Sequence, residues 1–368
     1  MTSSYPANSS DYAGAFVPGF AEALVDRGCQ VTVVTPDKAT PKERPAKFDV
    51  RWFPWAGSRK PLVDFSLTSP RDLMGVWSLL QSGERELRTL IASDGVDACL
   101  ALWAVPAGYL AWRTCPPRIP YAVWALGSDV HTWARRPLIG SLVRRVLRSA
   151  DHRFADGLEL ADEVHRITRK GCDFLPSTRR LPQPMPAPEP LSKGVRFLFV
   201  GRLEPVKGAD VIIDAMGRLA RSGVEASLYM CGGGHLESTL RKEVAASGAH
   251  VTFLGPLRGD VVAGYMKACD CVVIPSRMES IPIVFSEALQ ADVPLLVTDV
   301  GDMGKLARDH GLAEPVPPDD AAALASAMDE FARDVARQRA RYETARAGLL
   351  KLFDIGATAD RYLASLGA

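Results

Sequence analysis

The chain has 368 residues, 47% hydrophobic and 24% charged, with 44 Lys plus Arg against 43 Asp plus Glu. Single cores usually stop growing near about 250 to 300 residues, so two domains are expected. The charge balance leaves no summed field for nucleic acid or a uniformly acidic partner, and no run of about 18 apolar residues exists to cross a bilayer.

The first residues, MTSSYPANSS, lack the basic and apolar regions of a signal peptide. They continue as a loop to Gly28 before the first strand, QVTVVT, is reached. A parallel Rossmann-like half normally opens with an apolar strand feeding a glycine loop, so a central strand is missing from this pattern. Either the chain starts further upstream or the sheet closes in another way, because losing a central strand unpairs two neighbours. The next strands expected are DVRWF, VDACLAL, YAVWAL and DHRFA. Ala134 to Ala150 reads as a basic amphipathic helix, with Leu138, Leu142, Val146, Ile139 and Val143 on one side and Arg144, Arg145 and Arg148 on another. It covers a domain core or touches an anionic lipid or acceptor. Trp103, Trp112, Trp124 and Trp133 cluster in this half as core residues, or in part as sugar-stacking surface.

Leu175 to Gly194 carries six prolines and marks a semi-rigid linker. The expected division is therefore residues 1–190 and 191–351, with a helix at about 352–368 packing back on the first domain. In the second half VRFLFV, ASLYMC, VTFLG, CVVIP and PLLVT read as strands, each followed by a helical stretch, the pattern of parallel sheets covered by helices. From Asp319 onward the alanine-rich tail reads as helices. The seven cysteines are odd in number and never form CxxC units, which argues for reduced thiols in a cytoplasmic protein. Cys269 and Cys271, flanking Asp270, read as packing rather than metal ligands.

Chemistry concentrates in the loops after the second-half strands. In SRMESIPIVFSEAL the strand CVVIP ends at Pro275 and Pro282 suits a first helical turn. Amides of a helix opening from Ser280 through Ile281 and Pro282 to Ile283 can hold a phosphate oxygen. Glu287, further into the helix, is placed to accept from the vicinal hydroxyls of a ribose, and Glu279, on the outer side of the loop, from a sugar beyond the phosphates. Read alone, they are a surface acid and a dipole-favoured acid. In FVGRLEPVKG, Gly201 forms the turn while Arg202 and Lys207 are spaced for opposite sides of a diphosphate. In MCGGGHLES, Gly233 and its neighbours let backbone approach a ligand, and His235 either reaches a phosphate or faces water. All three loops leave the carboxyl edge of one parallel sheet, where ligands bind in this architecture.

This arrangement resembles family 4 of the retaining glycosyltransferases, over nearly the whole chain and most strongly from Val195 to Val316. The resemblance implies an α/β GT-B fold, two Rossmann-like doubly wound parallel-sheet domains facing a central cleft, the first lacking its opening strand. It implies transfer from a nucleotide diphosphate sugar, UDP-linked by family habit, to a sugar or lipid-linked glycan acceptor, with retention and with no cofactor or metal. Arg202 and Lys207 would neutralise the diphosphate, Glu287 would hold the ribose, Glu279 the transferred sugar, and Leu254 would flank the base. In the first half SSYPANSSDYAG is similar to the family's first loop, with Gly14 approaching the phosphate. LGSD, Leu126 to Asp129, is similar to its His-Gly-x-Asp segment, with Leu126 replacing the histidine. A contact there is lost or supplied by another group such as His131, with Asp129 as a second sugar or acceptor contact. No Asp-x-Asp occurs, which disfavours the metal-bridged site of the other glycosyltransferase fold. A nucleotide-sugar epimerase and a non-catalytic donor-binding partner remain as alternatives. A Rossmann oxidoreductase is disfavoured, because GGGHLE lacks the third glycine of the dinucleotide fingerprint.

Overall fold

Every strand expected above forms, and the computed structural model describes all residues except 9, 10, 12, 44, 46, 59–64, 67, 68, 94, 188–190 and 368. The chain divides into two compact units, Met1–Ser177 with Ile355–Ala368, and Thr178–Asp354.

In the first unit α1 (Val17–Val25) precedes β1 (Thr32–Pro36), β2 (Asp49–Phe53), α2 (Pro70–Ser93), β3 (Cys99–Leu102), α3 (Tyr109–Thr114), β4 (Tyr121–Ala125), α4 (Pro137–Ser149), β5 (His152–Ala155), α5 (Leu158–Thr168) and β6 (Asp173–Phe174). All pairings are parallel, in ladders β1-β2 and β3-β4-β5-β6. The central strand expected to be missing is replaced by Met1 and Thr2. Thr2 N donates to Val34 O at 3.0 Å on one side, and Leu102 N donates to Met1 O at 3.0 Å on the other. The Met1 ammonium donates to Leu100 O at 2.8 Å. Two residues thus satisfy backbone groups of both neighbouring strands.

The second unit runs β7 (Val195–Val200), α6 (Ala209–Arg221), β8 (Ala226–Cys231), α7 (Glu237–Ser247), β9 (Val251–Gly255), α8 (Gly259–Ala268), β10 (Cys271–Ile274), α9 (Ile283–Ala291), β11 (Leu295–Val297), α10 (Gly301–Asp309), α11 (Ala321–Arg333) and α12 (Val335–Leu352). Its parallel sheet has the order β11-β10-β7-β8-β9. Strands β8, β10 and β11 are buried along their whole length, which is why they read as nearly continuous apolar runs. The order reverses between β7 and β10, the position at whose carboxyl edge ligands bind in open α/β sheets. Asp270 accepts from Arg196 N at 2.9 Å and Nη2 at 2.8 Å, fixing the starts of β7 and β10. Cys269 and Cys271 beside it are free and buried.

The last helix, α13 (Ile355–Leu366), belongs to the first unit and packs on α1. Its Tyr362 ring meets Phe20 edge-on at 6.0 Å, and Arg27 Nη2 donates to Asp360 Oδ2 at 2.8 Å. The expected boundary at 190/191 touches residues outside the described ones. The units divide earlier, after Ser177, because the first linker residues are hydrogen-bonded to α9. Helix α4 buries Gly140, Val143, Val146 and Leu147, but Leu138 is 88% exposed and leaves the expected apolar side.

Trp124 on β4 is sealed in the first core. Phe16 and Phe20 meet it edge-on at 5.4 and 5.1 Å, and its Nε1 donates to Leu175 O at 2.9 Å. Trp124→Ala is expected to cost about 3–5 kcal/mol. A urea titration of intrinsic fluorescence and far-UV ellipticity checks it.

Candidate active site in the second unit

The loop after β7 turns through Pro205–Lys207 and enters α6 at Gly208, whose φ is +66°. A Cβ on Gly208 would overlap the carbonyl oxygen of Pro275 at the end of β10, so glycine is required for this close approach. Arg277 laces the two loops together. Its amide donates to Val206 O at 2.9 Å, and its Nη1 donates to Pro205 O at 2.6 Å. Its guanidinium also pairs with Asp210, Nη2 to Oδ2 at 2.6 Å, and with Asp319 at 2.7 Å. Burial pushes the Asp210 carboxyl up, but the Arg277 hydrogen bond and local amides outweigh it, and the carboxyl lies below its ordinary value. The same bond to Asp210, outweighing burial, raises Arg277.

This lacing brings the Lys207 ammonium and the Glu279 carboxylate into a direct, half-buried ion pair. Sequence alone assigned them to separate parts of one ligand; the structure makes each the other's partner. Arg202 is not part of the pair. It is 70% exposed, and its Nη1 donates to Glu204 at 2.6 Å within its own loop.

The glycines after β8 serve backbone packing first. Leu203 N donates to Gly233 O at 2.9 Å, and Gly201 N to Cys231 O at 3.0 Å. At Gly232, with φ +138°, a Cβ would overlap Gly201 O. Gly233 differs, since a Cβ there would meet only the Pro256 ring at 3.6 Å. His235 is exposed, and Leu254 on β9 is half-buried.

Beyond Glu279, Ser280 is turned toward α10. Its Oγ donates to Asp302 at 3.1 Å, and its carbonyl accepts from Met303 N at 3.0 Å. Helix α9 starts at Ile283 after Pro282, with no side chain capping it. Pro282 has no N–H, so the amide donors of this opening are those of Ser280, Ile281, Ile283 and Val284 rather than an unbroken run. Glu287 on α9 is 2% exposed and paired with the Arg179 guanidinium. Burial raises the Cys231 thiol to about 11, with the charge of Glu287 adding to it against a hydrogen bond from Leu257. Glu287 therefore lies in electrostatic reach of the end of β8.

In the first unit Gly14, with φ +74°, lies against the Ser4 carbonyl, where a Cβ would overlap. Ser9, Ser10 and Tyr12 of this loop lie outside the described residues. Asp129 corrects an expectation. It is fully buried and accepts from Ala104 N at 2.8 Å and Leu126 N at 3.3 Å, so it caps local backbone and is closed to a sugar. Burial raises its carboxyl despite those amides. His131, two residues on, is exposed, and its ring makes no hydrogen bond among the described residues. No three His, Cys, Asp or Glu side chains gather into a metal-ligating group among the described residues.

Residues 186–347 match the family profile described as "Glycosyl transferases group 1", and residues 13–172 match "Glycosyl transferase 4-like domain". The chain belongs to the group 1 glycosyl transferases. A phosphatidyl-myo-inositol mannosyltransferase of Mycobacterium leprae is 27% identical to this glycosyltransferase over 289 residues, 74% of this chain and 76% of that protein. An alpha-D-kanosaminyltransferase of Streptomyces kanamyceticus is 30% identical over 139 residues, 37% of this chain and 36% of that one. Among solved structures, sucrose-phosphate synthase from Thermosynechococcus elongatus superposes with TM-score 0.76 at 20% identity, covering 95% of this chain and 91% of that one. HepE of Anabaena in complex with UDP gives 0.71 at 14%, covering 100% and 98%. These likenesses establish the GT-B fold of the glycosyltransferase.

Two residues of the site were missed in the sequence. Arg277 lies inside SRMES, and an acid within reach on another loop was the only signal to look for. Arg179 lies in the proline-rich linker, and its partner Glu287 is far along the chain.

Proposed function

We propose that this glycosyltransferase binds the diphosphate of a UDP-sugar at the crevice between β7 and β10 and transfers the sugar to an acceptor hydroxyl, with retention and without a metal ion. The observation that carries this reading is the Lys207–Glu279 ion pair beside an uncapped helix start, at the point where strand order reverses. When the bond from the anomeric carbon to the phosphate oxygen breaks, its electron pair leaves with the diphosphate. Lys207 and the amides of Ile283 and Val284 stabilise that charge. Arg202 is exposed and bound only within its loop, so it can turn to the outer phosphate at small cost. The acceptor oxygen bonds to the anomeric carbon from the same face, and its proton passes to the departing phosphate oxygen. Glu279 then exchanges its ammonium partner for hydroxyls of the transferred sugar, and Glu287 receives the ribose.

The mannosyltransferase and kanosaminyltransferase relatives support a glycan, lipid-linked glycan or glycosylated natural product as acceptor. Exposed Leu138 with exposed Arg135, Arg136, Arg145 and Arg148 suits peripheral contact with anionic lipid at an inner membrane face. The seven free cysteines support a cytoplasmic location.

Incubating the purified chain with UDP- and GDP-sugars tests the reading. Nucleoside diphosphate release that depends on an added acceptor, and a glycoside of unchanged anomeric configuration by NMR, are expected. Interconversion of sugars without an acceptor would favour the epimerase alternative. No release, and no thermal shift with any nucleotide sugar, would end the proposal, because a ligand at 100-fold its Kd adds about 2.7 kcal/mol to stability.

A further inference from the structure

The first four residues of the second unit run along α9 and are fastened to one face of it. Thr178 Oγ1 donates to Ser286 Oγ at 3.2 Å, Leu181 N donates to Gln290 Oε1 at 2.8 Å, and Gln290 Nε2 donates to Arg179 O at 2.8 Å. Arg179 is therefore held on both sides of its own backbone by the helix that carries Glu287. It is not a loose surface arginine that drifts onto an acid.

The pair it makes is half used. Arg179 Nε donates to Glu287 Oε1. The two terminal nitrogens of Arg179 and the second oxygen of Glu287 make no hydrogen bond among the described residues. The Arg179 side chain is 21% exposed and that of Glu287 3%, so the guanidinium is the more open face of the pair. A carboxylate alone offers only acceptors, whereas a vicinal diol carries two O–H donors and two oxygen acceptors. A carboxylate oxygen beside unused guanidinium N–H groups answers both halves of a diol.

We propose that Arg179 and Glu287 together form the ribose subsite, one hydroxyl donating to Glu287 Oε2 while a hydroxyl oxygen accepts from the Arg179 terminal nitrogens. This inference rests on the donor-site reading above, and makes Arg179 a specificity-determining residue for it. Only the pair, held in register by the Thr178–Leu181 strap, distinguishes a ribose from its deoxy analogue.

Calorimetric titration with UDP, GDP and 2′-deoxy-UDP tests this on the native chain and on R179A, R179K, T178A and K207A. The native chain is expected to prefer UDP over 2′-deoxy-UDP by about 10-fold, the scale of one buried polar contact. R179A should bind UDP at least about 10-fold more weakly and lose the preference, and R179K should regain part of both. T178A removes one of the three strap bonds and no charge, so its preference should shrink by less than that of R179A. K207A should weaken UDP and 2′-deoxy-UDP equally. Should R179A fold poorly, R179K alone still decides, since it keeps the charge and loses the planar set of donors. If R179A or R179K keeps native affinity and preference, the pair is only a strap and the inference fails; tighter UDP binding by either variant overturns it as well. In both cases weakened binding by K207A would leave the donor-site reading standing. A native chain that binds neither UDP nor GDP removes that reading and this inference together.

Discussion

Lys207→Ala is expected to lower acceptor-dependent release of nucleoside diphosphate by about 10²–10³-fold, the loss seen when one preorganised donor to a developing negative charge is removed. Two effects add. The ammonium no longer meets the departing diphosphate, and Glu279 is left as an uncompensated carboxylate beside the same anion. Each side chain of the pair is only 21% exposed, so leaving Glu279 without its cation should also lower the melting temperature, and turnover is therefore read on the folded fraction. Glu279→Gln gives the opposite signature in binding. It leaves Lys207 without its anion, so the nucleoside diphosphate product should bind more tightly while turnover falls. A coupled assay for diphosphate release, with calorimetry of product binding, reads both. Turnover within two-fold of native for Lys207→Ala would sink the assignment.

Much of the second unit was legible because its strands are buried on both faces. VRFLFV, ASLYMC and CVVIP are short, mostly apolar runs with no competing helical period, and each is followed by a loop whose glycines and prolines announce a turn. Where two residues do the work of an element, no pattern exists to be read. Met1 and Thr2 bridge two strands with a few backbone bonds, and β6 is Asp173 and Phe174 alone.

The site was legible as a set of loops but not as a set of partners. Sequence spacing places Lys207 and Glu279 after neighbouring strands, yet only the order β10-β7 makes them adjacent. Arg179 and Glu287 are 108 residues apart, and no local rule joins them. Asp129 failed for a related reason. A buried capping carboxylate and an exposed sugar-binding one look alike in LGSD, and the difference lies in the Ala104 amide, reached only through the fold.

Gly208→Ala should lower turnover by about 10²-fold while leaving a folded protein, because the site depends on how closely two backbones approach. An alanine at φ +66° carries a left-handed penalty of about 1–2 kcal/mol. Its Cβ also meets the Pro275 carbonyl, a backbone atom that no rotamer change can move. Relief requires the loops after β7 and β10 to part, which stretches the Arg277 bonds to Pro205 and Val206 and separates Lys207 from Glu279. Displacement of a catalytic group by about 1 Å is enough for a loss of about 10²-fold. Gly223 supplies the control, with φ +76° and nothing within 4 Å of an added Cβ. Gly223→Ala should show the same conformational cost in a thermal melt and native turnover. Equal activities of the two variants would mean that the spacing of these loops does not govern catalysis, and that the charges of Lys207 and Glu279 act without the alignment the lacing gives them.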